Sequence, residues 1–175
     1  MDQYLVLTAM GRNRPGILSK ITQLITECGC NIEDSRLAIF GSEFTLLMML
    51  SGNHNAIARV EVSLPLLGAE HDLLTMIKRA LGHQQEKSVR RWAEISASGP
   101  DKPGLIDNFT RFFAERDLNI SSLSARSEAD IDGIVTLQLQ MTVELSDDID
   151  ESTLNADLEK MCQSISVDCH FYLVS

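Results

Sequence analysis

A short segment containing proline and glycine occurs twice in this chain, and its residue types suit the binding of a small ligand. It reads Gly-Arg-Asn-Arg-Pro-Gly-Ile at residues 11–17 and Gly-Pro-Asp-Lys-Pro-Gly-Leu at residues 99–105. An amphipathic helical pattern follows each copy. The first N–H groups of a helix lack partners within the helix, and the helix dipole adds partial positive charge there. Each copy is therefore predicted to offer a site for a carboxylate or another small anion.

Polar side chains beside the two helix starts suit the remaining groups of a small amino acid. Asn13 and Asp101 carry oxygen acceptors for an α-amino group. Arg14 and Lys102 follow them in the chain and can hold the carboxylate end electrostatically. The predicted ligand is therefore a small molecule with both an amino and an acidic group.

The Pro-Gly pair in each copy has two interpretations. Pro15 and Pro103 are expected at the first helical position, where the missing N–H of proline costs no hydrogen bond. Gly16 and Gly104 are then placed just inside the helix, where the absence of a Cβ lets a ligand approach the backbone. The alternative is a tight turn that only opens the helix. Duplication at the same structural place favours the ligand interpretation.

Two asparagines also occupy matching positions. Asn31 and Asn119 stand where a second strand is expected to begin, and each is followed by isoleucine. Each side chain can cap a turn through hydrogen bonds to the backbone or can contact a ligand. Both interpretations remain open from the sequence.

An offset of 88 residues relates the two copies over the helix that follows each segment. Apolar residues at spacing 0, 1, 4, 7 and 8 form one face of a helix with 3.6 residues per turn. They are Ile17, Leu18, Ile21, Leu24 and Ile25 in the first copy, and Leu105, Ile106, Phe109, Phe112 and Phe113 in the second.

The remaining patterns complete the same order of elements in each copy: strand, helix, strand, strand, helix, strand. Strands are predicted at about 4–9, 32–40, 43–51 and 70–79, then at 91–97, 120–128, 133–144 and 167–174. Second helices are predicted at 53–66, where Pro65 should stop or kink the helix, and at 151–165. A turn at 130–133 should hold about two extra residues.

The predicted fold class is therefore α+β, with two ferredoxin-like βαββαβ domains. Each domain would be a four-stranded antiparallel sheet with two helices on one face. The predicted boundaries are residues 1–82 and 90–175, joined by a linker at 83–89.

Composition excludes several classes of function. The net charge of −10 disfavours a surface that binds duplex DNA, which requires clustered cations. We expect no membrane span, no signal peptide, a cytoplasmic protein and reduced thiols at the four cysteines. The four histidines are scattered, and neither a metal site, a cofactor motif nor a catalytic motif is present. The acidic residues at 147–151 are expected to favour a helix start rather than to bind calcium.

Both copies resemble the ACT domain, a regulatory module of amino-acid metabolism, through the Pro-Gly helix start followed by Asn-Ile. Residues 4–80 further resemble the glycine cleavage system transcriptional repressor family, a bacterial group with two ACT domains. The segments that carry this likeness are Cys-Gly-Cys-Asn-Ile-Glu-Asp-Ser-Arg-Leu-Ala at 28–38, Glu-Phe-Thr at 43–45, Asn-Ala-Ile at 55–57 and Leu-Pro-Leu-Leu-Gly-Ala-Glu at 64–70.

The resemblance implies a repressor that responds to glycine or a similar small amino acid and contacts a separate DNA-binding transcriptional activator. It implies no direct contact with nucleic acid or membrane. Effectors of ACT proteins commonly lie between modules, which implies pairing within the chain or a homo-oligomer. The ligand residues it implies are Gly11, Asn13, Arg14, Pro15, Gly16, Ile17, Asn31 and Ile32, with Gly99, Asp101, Lys102, Pro103, Gly104, Leu105, Asn119 and Ile120 in the second copy.

Two other functions are compatible with the module. One is an amino-acid-responsive regulatory subunit of a metabolic enzyme, because the fold alone does not distinguish regulators from one another. The other is an enzyme, since the Arg-Pro-Gly-Ile start at 14–17 also resembles the N-terminal module of formyltetrahydrofolate deformylase. No residues remain outside the two modules to form a catalytic domain, so we predict that the chain is not an enzyme.

Overall fold

The computed structural model describes residues 2–80 and 91–174. Contacts between residues divide the chain into two compact units, Met1–Gln85 and Glu86–Ser175. The linker predicted at 83–89 lies outside the described residues, and the domain boundaries remain a prediction.

The first unit contains four strands and two helices in the predicted order. They are β1 (Gln3–Arg12), α1 (Ile17–Cys28), β2 (Asn31–Phe40), β3 (Glu43–Gly52), α2 (His54–His71) and β4 (Leu74–Ala80). The strands form one antiparallel sheet in the order β2-β3-β1-β4.

The second unit repeats this arrangement. Its elements are β5 (Arg91–Pro100), α3 (Leu105–Ala114), β6 (Ile120–Ala129), β7 (Val135–Leu145), α4 (Glu151–Ser164) and β8 (Asp168–Val174). The sheet order is β6-β7-β5-β8, again antiparallel throughout. The predicted fold class, two ferredoxin-like α+β domains, is confirmed.

Each unit has its own apolar core between the helices and one face of its sheet. Alternate residues of the central strands enter the first core, such as Leu5, Leu7 and Ala9 of β1. In the second core they are Leu137, Leu139, Met141 and Val143 of β7, packed with Phe109 and Phe113 of α3. The apolar positions with periods of 2 and 3.6 are thus the ones that build the cores.

The sequence-based boundary at the end of α2 is wrong. The helix was expected to end at about residue 66 and β4 to begin at 70, whereas α2 continues past Pro65 to His71. Pro65 is on the exposed side of the helix, while Leu64 and Gly68 are buried against the sheet. The free energy gained by packing the buried side of the helix therefore outweighs the loss of the hydrogen bond that proline cannot donate. The helix ends instead at His71, and the following residue Asp72 has a left-handed φ of 56°.

The extra residues of the second copy lie in the turn between β6 and β7. The Asp130 carboxylate accepts hydrogen bonds from the N–H groups of Asp132 and Ile134, at 2.9 and 2.8 Å. The corresponding turn of the first unit contains only Gly41 and Ser42. No helix among the described residues is long and apolar enough to cross a membrane.

Candidate ligand site

The duplicated segment forms a type II turn that leads into a helix. The N–H of Ile17 donates to the Arg14 carbonyl at 3.2 Å, with Pro15 and Gly16 between them. Gly16 has φ 86° and ψ −11°, the values of the third residue of a type II turn. In the second unit Gly104 has φ 86° and ψ 0°, and Leu105 donates to Lys102 at 3.3 Å. Both turns present the following helix start in the same way.

This geometry corrects the positions expected for proline and glycine. The helices begin at Ile17 and Leu105, so neither proline occupies the first helical position and each glycine is the residue that precedes the helix. Glycine is required there because a positive φ is strained for residues with a Cβ. A Cβ on Gly16 would have no atom within 4 Å, so there is space for a ligand beside this residue. The positive φ, and not this space, is the reason that glycine occupies the position.

Several N–H groups at these helix starts are available to a ligand. Within the described part of the chain, the N–H groups of Gly16, Leu18 and Ser19 donate no hydrogen bond, and no side chain caps α1. The same is true in α3 for the residues at 104, 106 and 107. These donors, together with the helix dipole, suit a carboxylate.

The two segments differ in their electrostatics. The first turn of α1 contains no acidic residue, and Arg14 is exposed beside it. The first turn of α3 contains Asp107, which pairs with Arg111. The Asp101 carboxylate, moreover, already accepts a hydrogen bond from Ser127 Oγ at 2.8 Å. The carboxylate of a ligand is therefore better accommodated at the first helix start, where no acidic side chain repels it, than at the second.

The second unit instead has a cavity beside its turn. It has a volume of about 250 Å³ and is lined by Lys102, Pro103, Leu105, Asn108 and the segment 164–166. Ser166 lies in a left-handed conformation with φ 59°, in the connection from α4 to β8. Ser164 and Ser166 could not be predicted as lining residues, because they join the cavity only through the packing of elements that are distant in the chain.

Gly11 and Gly99 have a packing role where their strands end. A Cβ on Gly11 would lie 2.7 Å from Leu73 Cδ2, and one on Gly99 would lie 2.8 Å from Val167 Cγ2. The strand ends are further held by N–H groups that donate across the sheet, from Asn13 to Ser42 at 2.8 Å and from Asp101 to Val135 at 3.1 Å. These contacts hold the turns in position.

Asn31 and Ile32 lie at the opposite end of the sheet from residues 11–17. Asn31 pairs with Ser51, which pairs with Tyr4 near the start of β1, whereas the turn follows Arg12 at its end. Eight residues of strand separate the two places by roughly 25 Å. One unit therefore does not bring its own Asn-Ile and Pro-Gly segments together.

The Asn31 side chain has a partner in its own unit. Its Nδ2 donates to Glu33 Oε1 at 2.9 Å, and Ser51 Oγ donates to the same carboxylate. Both hydrogen bonds hold the pKa of Glu33 below its usual value, and the bond from Ser51 has the larger effect. In the second unit, the backbone carbonyl of Asn119 accepts from the Glu144 N–H at 2.9 Å, just before β6. Ile120 begins β6 and pairs with Val143, likewise far from residues 99–105.

The other ionisable groups indicate structural roles. Asp150 precedes α4, and its carboxylate accepts from the Thr153 N–H at 3.1 Å, which agrees with the helix-start role expected for the acidic cluster. Over residues 2–80 and 91–174, no three His, Cys, Asp or Glu side chains are placed to hold a metal ion. The four cysteines are free thiols, and burial raises the pKa values of Cys30 and Cys162, which makes them poor nucleophiles.

Comparison with known proteins identifies the family of this chain. The model of the ACT domain matches residues 3–78 and 94–172. The glycine cleavage system transcriptional repressor of Escherichia coli strain K12 is 39% identical over 167 residues, covering 94% of this chain and 87% of that protein. This chain belongs to the glycine cleavage system transcriptional repressor family.

Solved structures agree with this assignment. A crystal structure assigned to a glycine cleavage system transcriptional repressor has 37% identity and a TM-score of 0.76, covering 100% of this chain and 99% of that one. An unknown protein from Galdieria sulphuraria, at 20% identity and a TM-score of 0.79 over all of both chains, shares the fold. The repressor family consists of regulators, which confirms the prediction that the chain is not an enzyme.

Proposed function

We propose that this protein represses the glycine cleavage system by binding a DNA-binding transcriptional activator, in response to glycine or a similar small amino acid. It would act in the cytoplasm without contacting DNA itself. Family membership supports the regulatory role. The observation that supports effector binding is the duplicated type II turn, which leaves N–H donors exposed at two helix starts.

The first helix start is the better candidate for the effector's carboxylate. Its free N–H groups, the exposed Arg14 and the absence of an acidic residue in the first turn of α1 all favour an anion. The Asn13 side chain, next to this turn in the chain, offers an oxygen to the α-amino group. Gly11, Pro15 and Ile17 would shape this site rather than bond to the effector.

The second helix start would bind more weakly or take a different small molecule. Lys102 beside the 250 Å³ cavity provides one positive charge, but Asp107 lies in the first turn of α3 and Asp101 is engaged by Ser127. Gly99, Pro103, Gly104 and Leu105 would form its backbone frame.

The Asn-Ile segments can join such a site only from another module. Asn31 and Ile32 are roughly 25 Å from the turn of their own unit, by the rise of eight strand residues. Asn119 and Ile120 are placed likewise in the second unit. An effector that touches both kinds of segment would therefore lie between modules, which favours a homo-oligomer or pairing within the chain.

Calorimetric titration of the full chain with glycine tests effector binding. We expect saturable binding, and the variant Arg14→Gln should weaken it about tenfold, because a hydrogen bond to a charged group contributes roughly 1.5–3 kcal/mol. Lys102→Gln should have a smaller effect. Lys160→Gln is the matched control, because Lys160 is an exposed lysine on α4 that belongs to neither helix start and does not line the cavity. A flat titration at tens of millimolar glycine would exclude this effector, and equal losses in all three variants would exclude the site.

Affinity capture with the full chain as bait tests the protein partner. We expect recovery of a transcriptional activator, and glycine should change the amount recovered. Recovery of a biosynthetic enzyme instead would support the alternative function of a metabolic regulatory subunit. Failure to recover the activator would contradict repression by contact even if glycine binds.

A further inference from the structure

The first sheet has an apolar face on the side away from α1 and α2. We call it the open face of the first sheet. Because side chains alternate along a strand, the residues between the core positions point to this side. The uncharged ones include Val6, Thr8 and Met10 of β1, Thr45, Leu47 and Met49 of β3, Leu74 and Met76 of β4, and Ala38 and Phe40 of β2. The charged residues on the same side are Arg12, Asp34, Arg36, Glu43 and Lys78.

The second unit provides an internal comparison, because its sheet has the same topology and register. Where β1 has Val6, Thr8 and Met10, β5 has Glu94, Ser96 and Ser98. Where the first unit has Leu47 and Met76 opposite residue 8, the second has Gln140 and His170 opposite residue 96. The fold therefore accepts polar residues at these positions, and their apolar character in the first unit is not needed to build the sheet.

The exposed apolar area is large for a surface in water. The exposed fractions are 41% for Met10, 43% for Leu47, 62% for Leu74, 66% for Met76 and 70% for Phe40. Together these side chains expose roughly 500 Å², since large side chains offer about 150–250 Å² each. A standard interface takes about 800 Å² from each partner, and the half-buried Val6, Thr8 and Met49 add to the total. The face thus has nearly the area that a stable dimer requires.

The charged residues around this face suit a second copy of the same surface. Arg12 and Glu43 lie opposite each other on β1 and β3 at one end of the face, Arg36 and Asp34 lie on the β2 edge, and Lys78 lies on the β4 edge. In a two-fold interface the same patch meets itself, so a rim of one sign would repel its copy. A rim of both signs around an uncharged centre rich in methionine avoids this repulsion and has the composition typical of interfaces.

We infer that the protein is a homodimer in which the open face of the first sheet packs against the same face of a second copy. The helices lie on the other side of the sheet, so this contact does not cover the N–H groups at the start of α1. The inference does not depend on effector binding, and it is tested without added amino acid.

Sedimentation velocity of the full chain over about 1–100 μM tests the dimer. The wild-type chain should sediment with twice the 19.4 kDa monomer mass. The double variant Leu47→Gln, Met76→His introduces the residues of the second unit at the centre of the face. It should weaken dimerisation at least about thirtyfold, because central apolar residues carry most of the energy of an interface.

The matched control is Leu66→Gln, which changes a leucine on α2 that is 62% exposed, more than Leu47 at 43%, and should leave dimerisation unchanged. A wild-type chain that remains monomeric throughout, or a folded double variant that dimerises like wild type, would overturn the inference. If the double variant does not fold, a photoreactive benzoylphenylalanine in place of Leu47 decides the question. It should crosslink to the open face of another copy, and crosslinks confined to its own chain would overturn the inference.

Discussion

Gly16 and Gly104 share a φ of 86°, although the residues around them differ. Each is the third residue of a type II turn, and each accepts a hydrogen bond from the helix through its carbonyl, from Lys20 and Asn108, both at 3.0 Å. The duplicated glycines therefore reflect a backbone requirement at the helix start. Ligand access follows from this conformation, because the turn leaves the adjoining N–H groups exposed.

The positive φ predicts how substitutions at Gly16 affect stability. Gly16→Val should lower the free energy of unfolding by about 1–2 kcal/mol, because a left-handed conformation is costly for a residue with a branched Cβ. Gly16→Asn should cost clearly less, since asparagine tolerates this conformation. Urea denaturation measures both values, and the open space around the Cβ rules out a clash as the cause. Equal unfolding midpoints for the two variants would contradict a left-handed Gly16 in solution.

At the scale of elements, α2 shows how packing decides the extent of a helix. Pro65 lies within it, yet the buried positions Ile57, Val60, Leu64 and Gly68 keep one continuous side against the sheet. Glycine at position 68 favours this close approach, because a Cβ there would make a tight contact of 3.0 Å with Thr75 Cγ2. The helix thus tolerates a residue of poor helix propensity on its exposed side.

Replacement of this proline should stabilise the protein. Pro65→Ala supplies an N–H for the carbonyl of Glu61 and relieves the clash of the ring with it, so we expect the free energy of unfolding to rise by about 1 kcal/mol or more. The gain is partly offset because proline also restricts the unfolded chain. Thermal unfolding measures the change, with Val62→Ala as a control for helix propensity at an exposed site of α2. A fall in melting temperature for Pro65→Ala alone would show that the proline suits the native backbone.

Elements with a local apolar periodicity could be predicted from the sequence, whereas boundaries set by contacts between distant residues could not. Local periodicity and the repeat together predicted all twelve elements, because buried positions recur every 2 or 3.6 residues in the central strands and the helices, and the edge strands complete the same order in both copies. The end of α2 was missed because contacts with Leu73 and Thr75 determine it. The Pro-Gly segment was also recognisable, but the choice between a tight turn and a first helical position was not, because proline and glycine are compatible with both.

At the scale of the whole molecule, duplication has produced two units of one fold with different surfaces. The open face is apolar in the first unit and polar in the second, and the first helix start favours an anion more than the second. The distance between Asn31 and residues 11–17 follows from this fold, because β2 runs parallel to β1 and therefore begins at the end of the sheet opposite to the turn. The two units therefore support different interactions on a common frame.

The charge of the molecule predicts that it does not bind duplex DNA directly. The net charge is −10, and several arginines are held by carboxylates of their own unit, including Arg79 by Glu61 at 2.7 Å and Arg91 by Glu151 at 2.7 Å. Affinity for DNA comes mainly from cations that replace condensed counterions. We therefore expect no saturable change in the fluorescence anisotropy of a labelled operator duplex at about 50 mM salt, a condition that favours electrostatic binding. The activator on the same duplex is the positive control, and adding this protein should change only the activator's affinity. Binding by this protein alone, weakening steeply as salt increases, would contradict repression through protein contact.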